Sequence, residues 1–284
     1  KEGHKEARVA IMTTDTQYKE CAVEFQIDGK TCRMGSMCKG SGMIHINMGT
    51  MLSFVTTDCA ISSKMLDKAL HESILGTYNC VSVDGDTSTN DTLTIMANGL
   101  AGNKEITEED ENYKIFLEAL NKINRVMAMK IAADGEGATR LIECNVKGAS
   151  SVQAARGLAK EIITSSLAKA AIFGRDANFG RFLCAMGYSG IEFDPDKTSI
   201  WFTSKKDAKR YFDPAVDSTV HGENSVQVFE NGTPCNFDEE KATEILSAEA
   251  VEILVQCQDG TAEGTAWGCD LTYDYVKING DYRT

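Results

Sequence analysis

The spacing of apolar and polar residues along this chain separates strand candidates from helix candidates. Residues 8–16 (RVAIMTTDT) read as a buried strand, and residues 21–27 (CAVEFQI) alternate ahead of Asp28-Gly29, a dipeptide that favours a tight hairpin turn. Ser62 and Ser63 can cap a helix with Met65, Leu66, Leu70 and Ile74 on one face. Thr107 with Asp110 makes a capping-box-like start for a longer helix, in which Ile115, Phe116, Leu120, Ile123, Val126 and Met127 keep helical spacing. A third helix is predicted from about Ser151 to Ala170 through Leu158, Ile162, Ile163 and Leu167. Further strands are expected at 78–83, 141–147, 199–204 and 226–230, the last followed by Asn231-Gly232. A short helix near 238–248 and two closing strands come next, and residues 275–284 (YVKINGDYRT) read as a strand leading into a glycine-containing turn. Hairpins imply antiparallel pairing, so the fold class expected is mixed α/β: layered α+β sheets with helices packed outside, and not a doubly wound parallel sheet.

Composition narrows the function. The chain has 284 residues, 42% hydrophobic and 25% charged, which fits a packed globular protein of one large domain or two modest ones. Lys+Arg 29 against Asp+Glu 42 gives a net charge of −13 with no basic stripe, an unfavourable balance for binding nucleic acid. No apolar run approaches the ~18 residues that cross a bilayer, and the polar opening KEGHKEARVA lacks a secretion signal, so an intracellular, soluble protein is expected. The 10 cysteines form no CxxC pair and the 4 histidines do not cluster with them, which reads as reduced, space-filling thiols and no metal site. The chain opens on Lys1 and not on Met, so residues upstream are expected.

The window 37–60 (MCKGSGMIHINMGTMLSFVTTDCA) holds the candidate chemistry. A small residue before a threonine suits self-cleavage. The hydroxyl of Thr50 attacks the carbonyl of Gly49, an N-to-O shift makes an ester, and hydrolysis frees a new amino terminus. That α-amine, with an ordinary pKa of ~8, can serve as general base for the hydroxyl of its own residue. The alternative is an ordinary turn at Gly49-Thr50. Lys39, in a glycine-lined stretch, reads either as the cation for a substrate carboxylate or as a solvated loop lysine. Glu136, between Gly135 and Gly137, reads as the receiver of a substrate ammonium, the orienter of an attacking amine, or a plain turn residue. The run 84–91 (DGDTSTND) resembles a calcium loop only superficially, because Thr89 stands where glycine is needed and Ile95 where a bidentate glutamate is needed; a polar loop near the site is expected instead. In 174–181 (GRDANFGR), Arg175 and Arg181 could bind an anion, or Asp176 and Asn178 could organise a turn. None of His4, His45, His71 and His221 has a triad-like partner in the sequence.

The strings IMTTDT (11–16), KGSGMIHINMGTMLSFVTTD (39–58), VDGDTSTNDT (83–92), DGEGATR (134–140), GRDANFGR (174–181) and YVKINGDYRT (275–284) occur in one order. Together they resemble the ornithine acetyltransferase family, the bifunctional glutamate N-acetyltransferase of arginine biosynthesis, over essentially the whole chain. The resemblance implies a self-processing Thr-nucleophile fold in which residues 1–49 are the end of an α segment and residues 50–284 a β segment, with a smaller C-terminal α/β part within roughly 140–284. It implies cleavage between Gly49 and Thr50, and transfer of acetyl from N2-acetylornithine to Thr50 and then to glutamate in a ping-pong cycle. Acetyl-CoA is a second donor in bifunctional members, and no cofactor or metal is called for. Thr13, Lys39, Thr50, Glu136, Asn279 and Thr284 are implied as substrate contacts, with Thr50 catalytic. The implied assembly is two α and two β chains in the cytoplasm, with neither nucleic acid nor membrane as partner. The family's oxyanion hole, a Thr-Gly pair, is expected upstream of TTDT. His45 and Ile46 stand where Ala-Pro is common, and Gly49 where Ala is common. Two other functions compete: an amidohydrolase or aminopeptidase using the same Thr50, in which water and not glutamate resolves the acyl-enzyme, and a non-catalytic assembly subunit that lacks the upstream segment.

Overall fold

The computed structural model of this chain describes residues 3–45, 51–205, 212–215 and 224–281. Strands β1 (Lys19–Ile27) and β2 (Lys30–Lys39) form an antiparallel hairpin across Asp28-Gly29. Both turn residues have positive φ, 50° and 71°, the mirror-image turn whose twist matches that of the strands. β3 (Leu52–Thr57) lies antiparallel to β2, and β4 (Thr92–Ala97) lies parallel to β3, so the first sheet has the order β1-β2-β3-β4. The parallel step needs a crossover, which α2 (Ser63–Ile74) supplies. Ser62 caps α2 by accepting the Met65 N–H.

The second sheet has six strands in the order β10-β5-β9-β6-β7-β8. These are β5 (Leu141–Ala149), β6 (Ser199–Ser204), β7 (Asn224–Glu230), β8 (Thr233–Pro234), β9 (Ala250–Gln256) and β10 (Ala262–Cys269). β5 and β9 pair in parallel and the other neighbours are antiparallel, with β7 and β8 turning at Asn231-Gly232. The layered α+β expectation therefore stands, with one parallel pair added to each sheet.

The helix α3 (Glu111–Ala133) starts at Asp110, whose side chain accepts the Tyr113 N–H. It departs from the expected outside placement by packing against β1 and β2 of the first sheet and β5 and β10 of the second. The reason is its circumference: Phe116, Leu120, Ile123, Val126, Met127 and Ile131 are all fully buried, and even Asn124 is buried, with its amide donating to Ser73.

Several local readings are overturned. Residues 8–16 are not a strand: α1 (His4–Ala10) ends there and a polar turn follows, in which the Thr13 N–H donates to Asp15. Residues 78–83 are a short 3-10 turn followed by single bridges and not a continuous strand. The helix expected at 151–170 is two, α4 (Val152–Thr164) and α5 (Ser166–Gly174), because Ser165 leaves helical geometry and its hydroxyl caps α5. β3, β4 and α6 (Phe179–Tyr188) go beyond the expected elements, although α6 has a helical apolar face of Phe182, Ala185 and Met186. α7 (Glu239–Leu246) matches the helix expected near 238–248. The tail reading is also corrected: α8 (Tyr273–Asp281) is a helix, opened by Thr272, whose hydroxyl accepts the Tyr275 N–H and donates to the Gly137 carbonyl. Val276 is 68% exposed on it. Tyr282 to Thr284 lie outside the described residues.

Phe116 meets Phe25 of β1 edge-on, with ring centroids 6.0 Å apart, at the seam between α3 and the first sheet. Phe116→Ala should lower stability by about 3–5 kcal/mol through the cavity it leaves. Equilibrium urea unfolding of the two proteins checks this.

Candidate active site

The stretch 39–44, which begins at the end of β2, is held by bonds from three distant parts of the chain: Asp15, residues 134–136 and Asp84. Asp15 takes the first position. Its Oδ1 accepts the Gly40 N–H at 2.8 Å and the Lys19 ammonium at 2.6 Å. Lys19 is 1% exposed at the start of β1, and its second carboxylate is Asp134, just past the end of α3, at 2.5 Å. Asp134 also accepts the Thr16 and Gln17 N–H groups and the Thr16 hydroxyl. Burial alone would raise the Asp15 carboxyl pKa, but the Gly40 N–H and Lys19 outweigh it and hold it below the ordinary value.

Ser41 comes next. Its hydroxyl donates to the Asp134 carbonyl at 2.6 Å, and its own carbonyl accepts the Glu136 N–H at 2.9 Å. The Glu136 carboxylate then lies over Gly42, where a Cβ would come within 2.3 Å of it. Only glycine allows that approach. Asn279 on α8 donates from Nδ2 to Glu136 Oε2 at 2.9 Å, so residues 143 apart in sequence meet over this stretch. Beyond it, Asp84 accepts the Met43 and Ile44 N–H groups at 2.7 and 3.0 Å. Tyr275 of α8 lies near the same carboxylate; burial first, and then Asp84 and Asp86, push its phenol well above the ordinary range. His45 bonds Ser82 through Nδ1 at 3.1 Å; burial, with Lys160 nearby, lowers its pKa.

Lys39 is 9% exposed at the end of β2, where it pairs with Leu52 of β3. Asp91 neighbours it and accepts the Met51 N–H. Burial raises the Asp91 carboxyl to about 6, against the pull of the Met51 N–H and Lys39. Of the residues expected at the site, Lys39, Glu136 and Asn279 thus converge on 39–44. Thr13 is exposed and joins the same network by its backbone, through Asp15. Gly49, Thr50 and Thr284 lie outside the described residues. Reading the sequence missed Asp15, Lys19, Asp84, Asp91 and Asp134 as site residues. Their signal was in plain view, since each but Lys19 lies inside one of the motif strings. The run GRDANFGR takes its turn reading: Asn178 donates to Asp176, Arg175 closes α5 with a φ of 59°, and Arg181 donates to the Leu167 carbonyl. Among the described residues no group of His, Cys, Asp and Glu is arranged to hold a metal ion, and no helix is long and apolar enough to cross a membrane.

A sequence model of the ArgJ family matches residues 1–284. The chain is 50% identical over 275 residues to the arginine biosynthesis bifunctional protein ArgJ 1 of Clostridium acetobutylicum, covering 97% of this chain and 63% of that protein. It is 50% identical over 284 residues to the arginine biosynthesis bifunctional protein ArgJ of Caldanaerobacter subterraneus subsp. tengcongensis, covering 100% of this chain and 66% of that one. The chain thus spans a little under two thirds of the length of these curated relatives. A crystal structure of the arginine biosynthesis bifunctional protein ArgJ from Bacillus halodurans superposes with a TM-score of 0.72 at 43% identity, covering 82% of this chain and 100% of that one.

The buried trio of Asp15, Lys19 and Asp134 yields a stability prediction. Lys19→Met leaves two carboxylates buried without their cation and should cost about 3–5 kcal/mol. Asp15 has a depressed pKa in the folded state, so its contribution is present above its unfolded value of about 3.9 and is lost as pH falls through the lower folded value. Unfolding curves of the wild type and Asp15→Asn between pH 2 and 6 should converge at the acid end.

Proposed function

This chain belongs to the ArgJ family, and we propose that it is the larger part of an acetyltransferase of arginine biosynthesis that cuts itself between Gly49 and Thr50. The hydroxyl of Thr50 attacks the acetyl carbonyl of N2-acetylornithine and gives its proton to the α-amine of the same residue. The amide C–N bond then breaks, the ornithine nitrogen takes that proton, and an acetyl ester remains on Thr50. The amine of glutamate attacks the ester carbonyl, N-acetylglutamate leaves, and the proton returns to Thr50 Oγ. Acetyl-CoA serves as a second donor by the same ester. Thr13, Asn279 and Thr284 contact the amino-acid substrates, and the cut chains assemble as two α and two β in the cytoplasm.

One observation carries this reading. A buried lysine and a glutamate, Lys39 and Glu136, stand at the two ends of one short glycine-rich stretch, a few residues ahead of Thr50 in the chain. Amino acids bring one carboxylate and one ammonium, and a cation and an anion at fixed separation meet both. Asn279 beside Glu136 adds an amide that can donate or accept.

Intact mass of protein expressed from the complete gene should show two chains, the second beginning at Thr50, and Thr50→Ala should remain one chain that forms no acetyl-enzyme. A cut at that bond in Thr50→Ala, or an uncut wild type with full activity, overturns the mechanism. Acetyl release that proceeds at the same rate without glutamate would make the protein a hydrolase.

Lys39→Met and Glu136→Gln should each remove a charge-assisted contact of about 1.5–3 kcal/mol, which is roughly ten- to a hundred-fold in kcat/KM, while leaving the cut complete. Unchanged kinetics in both would return these residues to an ordinary loop.

A further inference from the structure

The protein carries a surplus of acid, with a net charge of −13, yet one cleft away from residues 39–44 collects cations. It has a volume of about 390 Å³ and lies where the C-terminal end of α2, the middle of α3 and the start of α4 meet. Lys122 and Arg125 line it from α3 and Arg156 from α4, against two acids, Glu72 and Glu118. Both acids are already engaged. Glu72 pairs with Lys68 and accepts the Tyr113 hydroxyl at 2.8 Å, and Glu118 pairs with Lys122 at 2.7 Å, one turn apart on α3. Neither is left to neutralise Arg156.

Arg156 is half-buried, and among the described residues its guanidinium meets no carboxylate and no other hydrogen-bond acceptor. It lies against Gly76, just beyond α2, where a Cβ would stand within 2.6 Å of Nη2. Only glycine leaves room for that approach. A half-buried guanidinium has given up part of its hydration, and donors without acceptors leave that cost unrecovered until an anion arrives. The positive field is felt beneath the cleft: burial raises the Cys80 thiol, and Arg156 and Lys160, one turn further along α4, pull it back.

We infer that this cleft is a binding site for a phosphate group, held by the guanidinium groups of Arg156 and Arg125 with Lys122 at its rim. A carboxylate has two oxygens and is satisfied by one guanidinium fork, whereas a phosphate has enough oxygens to meet two forks at once. Two sources share that chemistry: free phosphate, and the phosphates that coenzyme A carries at the end away from its thioester. From Arg125 to the end of α3 at Ala133 is about 12 Å of helix, and Asp134 and Glu136 follow at once, so an extended donor can have one end in the cleft and the other near residues 39–44. The coenzyme as source rests on the reading of acetyl-CoA as a second donor; free phosphate does not.

The test is calorimetric titration of the full-length protein, with inorganic phosphate in one arm and coenzyme A in the other, at fixed ionic strength because salt screens such a site. Phosphate should bind saturably, and Arg156→Gln should weaken it by about ten-fold or more, the loss of one charge-assisted contact. Arg156→Lys, which keeps the charge but loses the fork, should fall between the two. Gly76→Ala, whose methyl group displaces the guanidinium, carries the same test if the glutamine variant does not fold. Coenzyme A that competes with phosphate, and weakens in step with it in Arg156→Gln, identifies the coenzyme as the source; phosphate binding that coenzyme A leaves untouched identifies free phosphate. Absence of saturable phosphate binding overturns the inference. So does binding that Arg156→Gln leaves unchanged and Lys39→Met abolishes, because the anion would then sit at the substrate pole. Failure of the acetyl-transfer reading looks different: wild type would form no ester at Thr50 from either donor, with the phosphate titration unaffected.

Discussion

The interaction on which the site depends is the burial of Lys19 between Asp15 and Asp134, at 2.6 and 2.5 Å. Three charges removed from water are tolerable only when each is paired and its remaining hydrogen-bonding capacity is met. Here the remaining capacity is met by backbone: Asp15 takes the Gly40 N–H, and Asp134 takes those of Thr16 and Gln17. The glycine-rich stretch cannot shift without unpairing Asp15, which would leave a buried carboxylate short of a donor. An electrostatic penalty of several kcal/mol thus adds to the apolar packing of Ile44 in securing the local loop conformation. The same trio fixes the end of α3 against the start of β1, so the helix between the sheets and the candidate site share one anchor.

From that anchor the site builds outward by opposing charges. The protein carries a net charge of −13, yet Lys39 is buried at the end of β2, while Glu136 is drawn over Gly42 by its own N–H on Ser41. Lys39 is set by its place in β2, and Glu136 by its own N–H on Ser41 and by Asn279, which donates to its carboxylate. Burial raises the carboxyl of Asp91, the acidic neighbour of Lys39, to about 6. The acidic surplus elsewhere does not neutralise the cation; most of it is solvated, as with Glu24 and Arg33, which pair in the open.

The sequence was legible where local chemistry decided the structure. Asp28-Gly29 and Asn231-Gly232 set hairpins, Ser62 and Asp110 started helices, and the spacing of Phe116 to Met127 announced α3. Lys39, Glu136 and Asn279 were legible through ordered motifs. It was not legible where distant parts decide. Asp134 and Lys19 are 115 residues apart, and nothing local marks either as half of a buried pair. The tail read as a strand because Val276 and Ile278 alternate with polar residues, but Thr272 caps a helix there instead, and no free strand edge claims the segment. Residues 8–16 failed for a related reason: their apolar run is not buried, and the turn after it is ordered by Asp15 reaching Gly40, a long-range contact. Even the place of α3 between the sheets was implicit in its apolar circumference and emerges only once both sheets exist to receive it.

The anchoring pattern also bears on the proposed cut. Upstream of the Gly49-Thr50 bond, the chain is tied at Gly40 to Asp15, at Ser41 to Asp134 and Glu136, and at Met43 and Ile44 to Asp84. Downstream, Met51 is tied to Asp91 and Thr92, and β3 is paired on both edges, with β2 and with β4. None of these ties passes through residues 46–50. Each flank would keep its partners if the bond between them were broken, because those partners come from elsewhere in the fold. The β2–β3 register, with Lys39 opposite Leu52, would then be maintained by interstrand hydrogen bonds rather than by the connecting peptide. Loss of the covalent link would release only the conformational restraint of a short connection, and loop-closure entropy changes slowly with connection length, so the cost to the assembled sheet is small against the bonds retained.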